Sequence, residues 1–199
     1  MPKEFSLADG RELIKVARKS IDYTSASGKR LSETTEKKRL LEKRGCFVTL
    51  NTFPDKELRG CIGFPYPVLP LWNAVIEGAV QAAFNDSRFS KLQAKEIDNI
   101  LLEISILTLP EEISGGKSGL AEDIVIGEDG LIIKKGGHSG LLLPQVAREH
   151  NWSAETFLDE CCRKAGVIPG AWRQTSCAVF KFQAQIFSEK EPNGEVEEH

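Results

Sequence analysis

Paired cysteines, clustered histidines and long apolar runs are all scarce in this chain, and each scarcity removes a class of protein. The five cysteines, at positions 46, 61, 161, 162 and 177, are odd in number and show no pairing rhythm. A disulfide framework is therefore not expected, and the thiols are expected to be reduced. No C-x-x-C or H-x-x-x-H spacing occurs, and the only histidines are His138, His150 and His199. A structural zinc site is not expected, and no cofactor is evident. No apolar stretch approaches the roughly 20 residues of a membrane-crossing helix. Met1-Pro2-Lys3-Glu4 leads directly into a polar amphipathic segment and not into a signal peptide. The expectation is a cytoplasmic protein with no membrane partner. Internal repeats are also absent.

Charge is no more directive. The formal net charge is -3, but residues 189–199 hold five glutamates against one lysine, a local -4, which leaves the body of the chain near +1. Such a balance selects no partner class. The stretch Lys29 to Arg44 carries seven lysines and arginines. Glu33, Glu36 and Glu42 interleave with them and aromatics are missing, so a solvated helix or loop is expected there and nucleic acid is not. With 199 residues, 41% apolar and 28% charged, the chain is long enough to bury a core of its own without staples.

Against this background one stretch stands out, Leu58-Arg59-Gly60-Cys61-Ile62-Gly63-Phe64. Strand alternation puts Leu58, Ile62 and Phe64 on one face and Arg59, Cys61 and Gly63 on the other. Gly60 and Gly63 suggest open space around the thiol, since glycine in a strand marks a bulge or a close approach. A guanidinium two residues away favours a thiolate. The bland alternative is a small buried hydrophobe, the commonest fate of a lone cysteine in an apolar strand.

The string Leu58-Arg59-Gly60-Cys61-Ile62-Gly63 resembles the signature hexapeptide of the AMME-syndrome critical-region (AMMECR-type) family. Asp86-Ser87-Arg88-Phe89 is similar to that family's Asp-x-Arg-Phe element, Glu103-Ile104-Ser105 to a third element, and Leu141 to Ala147 to its second strong block. Ser90-Lys91-Leu92 and His138 depart from the expected pattern. The resemblance spans about Leu7 to Phe187 and implies a single module of two lobes, the smaller around residues 110–140. The family has no settled activity, so a fold and a candidate surface are what it implies. It also implies Memo-like and radical-S-adenosylmethionine proteins as possible partners.

Along the chain, Ser6 and Asp9 form a capping-box start for a helix to about Tyr23. Cys46–Phe53 and the signature strand read as a hairpin, and a helix runs from Leu71 to Phe84 after Pro70. Asp86 and Arg88 read as a functional pair or a helix-end ion pair. Ile100–Leu109 alternates as a half-buried strand on which Glu103 is placed to orient Arg59, or simply to face solvent. Gly116-Lys117-Ser118 is similar to the end of a phosphate-binding loop, but Glu111 stands where that loop needs glycine. Residues 114–119 read instead as a flexible connector. A second hairpin is expected to pair Ile124–Ile126 with Leu131–Ile133, and Ser153 caps a helix whose buried face carries Cys161 and Cys162. A last strand is expected over Cys177–Phe187, and residues 189–199 as a disordered acidic tail.

These elements predict an α+β fold of antiparallel or mixed sheets built from hairpins with packed helices. Two functions remain open. One is a thiol-based enzyme with Cys61 and Arg59 as catalytic candidates and Gly60, Gly63, Asp86, Arg88 and Glu103 as binding candidates; it lacks a base. The other is a non-catalytic module binding an unknown small molecule or protein.

Overall fold

The computed structural model describes residues 4–113 and 119–199; all but Gly119 of the expected connector lies outside them. The chain forms two compact units, one made of residues 2–107 and 185–199, the other of residues 108–184. The second unit extends well beyond the 110–140 lobe anticipated from sequence, because the helix at 154–164 and the strand at 178–182 build its core. Both units contain an antiparallel sheet with helices, so the fold is α+β as expected. Among the described residues no helix is long and apolar enough to cross a membrane.

The first unit opens with α1 (Leu7–Ser27). The Ser6 hydroxyl accepts from the Asp9 N–H while the Asp9 carboxylate accepts from the Ser6 N–H, and Gly28 ends the helix at φ 68°. This reciprocal cap meets two of the helix's orphan donors, and the left-handed terminator suits a residue without Cβ. Residues 29–44 are loop with one short 3₁₀ turn at Lys38–Leu41, of which only Leu40 is buried. β1 (Cys46–Thr52) and β2 (Leu58–Phe64) then form the hairpin, with Thr49 opposite Cys61. α2 (Leu71–Phe84) packs on β1 and β2 and against α1. β3 (Ile100–Leu107) pairs with β1, placing Glu103 opposite Thr49.

The sheet of this unit runs β2-β1-β3-β8-β9, where β8 is Ala184–Glu189 and β9 is Val196–Glu198. The expected disordered tail is thus corrected. Glu189 ends β8 with its side chain 1% exposed, held by Arg18 of α1, and Val196 is buried in the core. Composition counted these glutamates as solvating, whereas one of them is the buried partner of a buried arginine.

In the second unit the sheet order is β4-β7-β5-β6, built from β4 (Glu111–Glu112), β5 (Gly130–Lys135), β6 (His138–Leu142) and β7 (Ala178–Phe182). The second hairpin lies one element later than anticipated. Val125 to Asp129 is a turn closed by the Asp129 carboxylate on the Val125 N–H, and β5 pairs with β6 across Gly136 and Gly137. Both glycines have positive φ, 55° and 84°, the conformation a two-residue hairpin loop demands. α3 (Pro144–Glu149) follows, with proline in its first turn. α4 (Ala154–Lys164) is capped by the Ser153 hydroxyl, and its Cys161 and Cys162 are buried as anticipated. The single strand expected over 177–187 is two strands in different sheets, parted at Gln183.

Candidate functional site

β2 is an edge strand, and its outward side at Cys61 is covered by side chains and not by another strand. Asp86 accepts from the Cys61 N–H at 2.9 Å, and Arg88 Nη2 donates to the Cys61 carbonyl at 3.1 Å. The two residues also clamp each other, Nε to Oδ1 at 3.0 Å and Nη2 to Oδ2 at 2.7 Å. Asp86 is therefore a buried carboxylate, its side chain 3% exposed, beneath an arginine side chain that is 54% exposed. The Arg88 guanidinium, helped by the backbone N–H groups of Cys61 and Arg88, holds the Asp86 carboxyl far below the usual carboxylate range. The helix-end sequence after Phe84 explains the placement: the chain leaves α2 at Asn85 and brings Asp86 back onto the strand that α2 packs upon.

Arg59 is engaged elsewhere. Its Nε and Nη2 donate to the two carboxylate oxygens of Glu96 at 2.9 and 3.2 Å, and Nη1 donates to the Ser90 carbonyl at 3.0 Å. Glu96, not Glu103, is the residue that orients Arg59. Between the two clamped arginines lies the half-buried ring of Phe89, 6.0 Å from the Arg59 guanidinium carbon and 5.5 Å from that of Arg88. Such cation–π contacts contribute roughly 0.5 to 1 kcal/mol each at exposed sites.

The thiol sits in a row across three strands, Cys61 on β2, Thr49 on β1 and Glu103 on β3. The Thr49 hydroxyl donates to Cys61 Sγ at 3.3 Å. Burial pushes the Cys61 thiol above its ordinary value, the Thr49 hydrogen bond and Arg88 pull it down, and Glu103 and Asp86 add to the rise. The net direction is upward, so the expected activation of the thiol by Arg59 is not what this geometry provides. The glycines do not open space around sulfur either. A Cβ on Gly60 meets the Ala82 carbonyl oxygen of α2 at 2.3 Å, and one on Gly63 meets the Cys46 carbonyl oxygen at 2.2 Å. Both positions admit backbone, and no ligand is needed to explain them.

Cys61 is nonetheless the one half-exposed thiol of the five; the other four are buried. Burial pushes Cys46 up to about 12, and burial is also the main cause that takes Cys161 to about 12. Iodoacetamide applied to the native protein is therefore expected to label Cys61 first, with a pH midpoint above the ordinary thiol value. Arg88→Leu should raise that midpoint further and Arg59→Leu should leave it in place. Prior labelling of Cys46 or Cys177, or an Arg59→Leu shift as large as that of Arg88→Leu, would contradict this electrostatic order.

The structure brings the candidates Cys61, Gly60, Asp86, Arg88 and Glu103 to one strand region, and it pairs Arg59 with Glu96, a residue not among the candidates. Sequence reading passed over Thr49 and Glu96. Thr49 was legible from the hairpin register; Glu96 caps the 3₁₀ turn at Ala94–Asn99 by accepting from the Gln93 N–H, a local signal for the turn that says nothing of Arg59. Among the described residues no group of three or more His, Cys, Asp or Glu side chains could hold a metal ion.

The AMMECR1 family model matches residues 14–187. Protein MK0488 of Methanopyrus kandleri is 44% identical over 200 residues, covering 100% of this chain and 97% of that protein. Protein MJ0810 of Methanocaldococcus jannaschii is 46% identical over 193 residues, 96% of this chain and 95% of its own length. A crystal structure of an uncharacterised protein from Pyrococcus horikoshii superposes with a TM-score of 0.88 at 43% identity, covering 96% of each chain.

Proposed function

The chain belongs to the AMMECR1 family, and from that premise we propose that it works as a non-catalytic recognition module whose contact surface is the clamped edge of β2. The observation that carries this reading is Arg88. Its guanidinium is fixed by a buried carboxylate although the side chain remains 54% exposed, and among the described residues no hydrogen bond takes its Nη1. A planar cation held rigid at low entropic cost is suited to a carboxylate or phosphate on a ligand or partner protein. Phe89 beside it adds an apolar contact of the kind that anchors interfaces.

A thiol-based enzyme centred on Cys61 is the second reading, favoured by the partial exposure of that thiol alone among five. It needs a base and a lowered thiol pKa; burial works against the latter. The Memo-like and radical-S-adenosylmethionine proteins implied by family resemblance are the partners to test, and no cofactor is invoked. Calorimetric titration of the full chain with one purified protein of each kind is the experiment. Arg88→Gln is expected to weaken binding by about tenfold or more, the value of a charge-assisted hydrogen bond, while Cys61→Ser retains it. Binding unchanged in a folded Arg88→Gln protein, or lost in Cys61→Ser, sinks the recognition reading.

A further inference from the structure

At the opposite edge of the same sheet from Cys61, α1 and the turn between β8 and β9 enclose an open groove of about 960 Å³, the volume of a small-ligand site. Its exposed apolar lining comes from Ala26 and Tyr23, the latter 42% exposed, and the buried Ile14 and Val196 of the core present only their edges to it. The charges around it are mostly spent. Arg18 and Glu189 neutralise each other at the floor, Lys19 pairs with Glu33, and Glu195 pairs with Lys190 at 2.9 Å. Arg11 and Lys15 remain, both exposed and one helical turn apart on the groove face. No ion pair joins either to a carboxylate among the described residues, although the Glu195 carboxylate, held chiefly by Lys190, also feels the charge of Arg11. At the far end stands Asp22, roughly 10 Å along the helix from Lys15 by the rise per residue.

We propose that this groove binds an apolar-bodied monocarboxylate, its head on Arg11 and Lys15 and its body along Tyr23 and Ala26. Lys15, and Arg11 whose charge Glu195 offsets in part, select an anion at one end, and the apolar wall selects a hydrocarbon body. Asp22 at the other end selects against a second negative charge, so a dicarboxylate of the same length is rejected. None of these residues belongs to the Cys61 edge, so this site stands or falls independently of the recognition reading above.

The test is an NMR titration of the ¹⁵N-labelled full chain with sodium decanoate below its micelle-forming concentration, with sebacate and decyltrimethylammonium as comparators. Saturable decanoate binding is expected, with shift changes concentrated at residues 11–26 and 189–196. Lys15→Glu is expected to weaken it by about tenfold or more, and Lys15→Gln, which removes charge without reversing it, by less. Both comparators should bind about tenfold more weakly than decanoate. The proposal is overturned by the absence of saturable decanoate binding, by shifts centred elsewhere, by undiminished affinity in both Lys15 variants, or by comparators that bind as tightly.

Discussion

Glu189→Ala is expected to lower the free energy of unfolding by about 3 to 5 kcal/mol, the cost of breaking a buried ion pair from one side. The Glu189 carboxylate takes Arg18 Nε on Oε1 at 2.5 Å and Nη2 on Oε2 at 2.6 Å, and Oε2 also accepts from the Leu102 N–H at 2.8 Å. Arg18 in turn donates to the carbonyls of Ile97 and Ile100 at 3.1 and 2.6 Å. One carboxylate thus ties α1, β8 and β3 together, with side-chain exposures of 8% and 1% for the arginine and the glutamate. Alanine leaves a guanidinium and a strand N–H buried without their acceptor. Truncation after Ser188 removes the same group, so the deletion should cost at least as much. Denaturant unfolding of each variant measures the loss. A change below about 1 kcal/mol would mean that water replaces the carboxylate, as it does for surface pairs. Replacing both partners with methionine and leucine should recover much of the stability, because the cost lies in the orphaned charge.

Gly60→Ala carries the next largest expected effect, a loss of about 1 to 3 kcal/mol from overpacking. The added Cβ lies 2.3 Å from the Ala82 carbonyl oxygen and 3.1 Å from its carbon. Both are backbone atoms near the end of α2 and cannot rotate aside. Reduced freedom of the unfolded chain returns only about 0.4 to 1 kcal/mol. Gly60→Val should lose more than alanine does. A thermal melt tests both, and an unshifted midpoint for alanine would show that α2 does not seat on β2 at this distance. The glycine of the signature next to Cys61 is then a packing residue, which is why its presence says little about a ligand.

Local chemistry was legible in the sequence and long-range pairing was not. The Ser6–Asp9 cap, the 46–64 hairpin and α2 each follow from residues within a few positions of one another, and each lies where periodicity and turn residues put it. The last strand misled because apolar alternation continues from Ala178 through Ile186 although Gln183 parts two sheets; alternation reports a face, never which sheet the face belongs to. Residues 189–199 misled because five glutamates dominate any average, while a single one of them, 171 positions from its arginine, decides that the segment docks. At the site, the proximity of Arg59 to Cys61 in sequence hid the stronger claim of Glu96, which is held 37 positions away by a turn.

The Asp86–Arg88 clamp has a consequence for how copies of this chain meet. An unguarded edge strand is a template on which another chain can extend the sheet, the first step towards aggregation. At Cys61 the template is already occupied: the carboxylate imitates the incoming carbonyl and the guanidinium the incoming amide. A molecule arriving here must read side chains, because the backbone it would otherwise copy is taken. The same two residues thereby keep the edge from growing and leave one charged donor facing out.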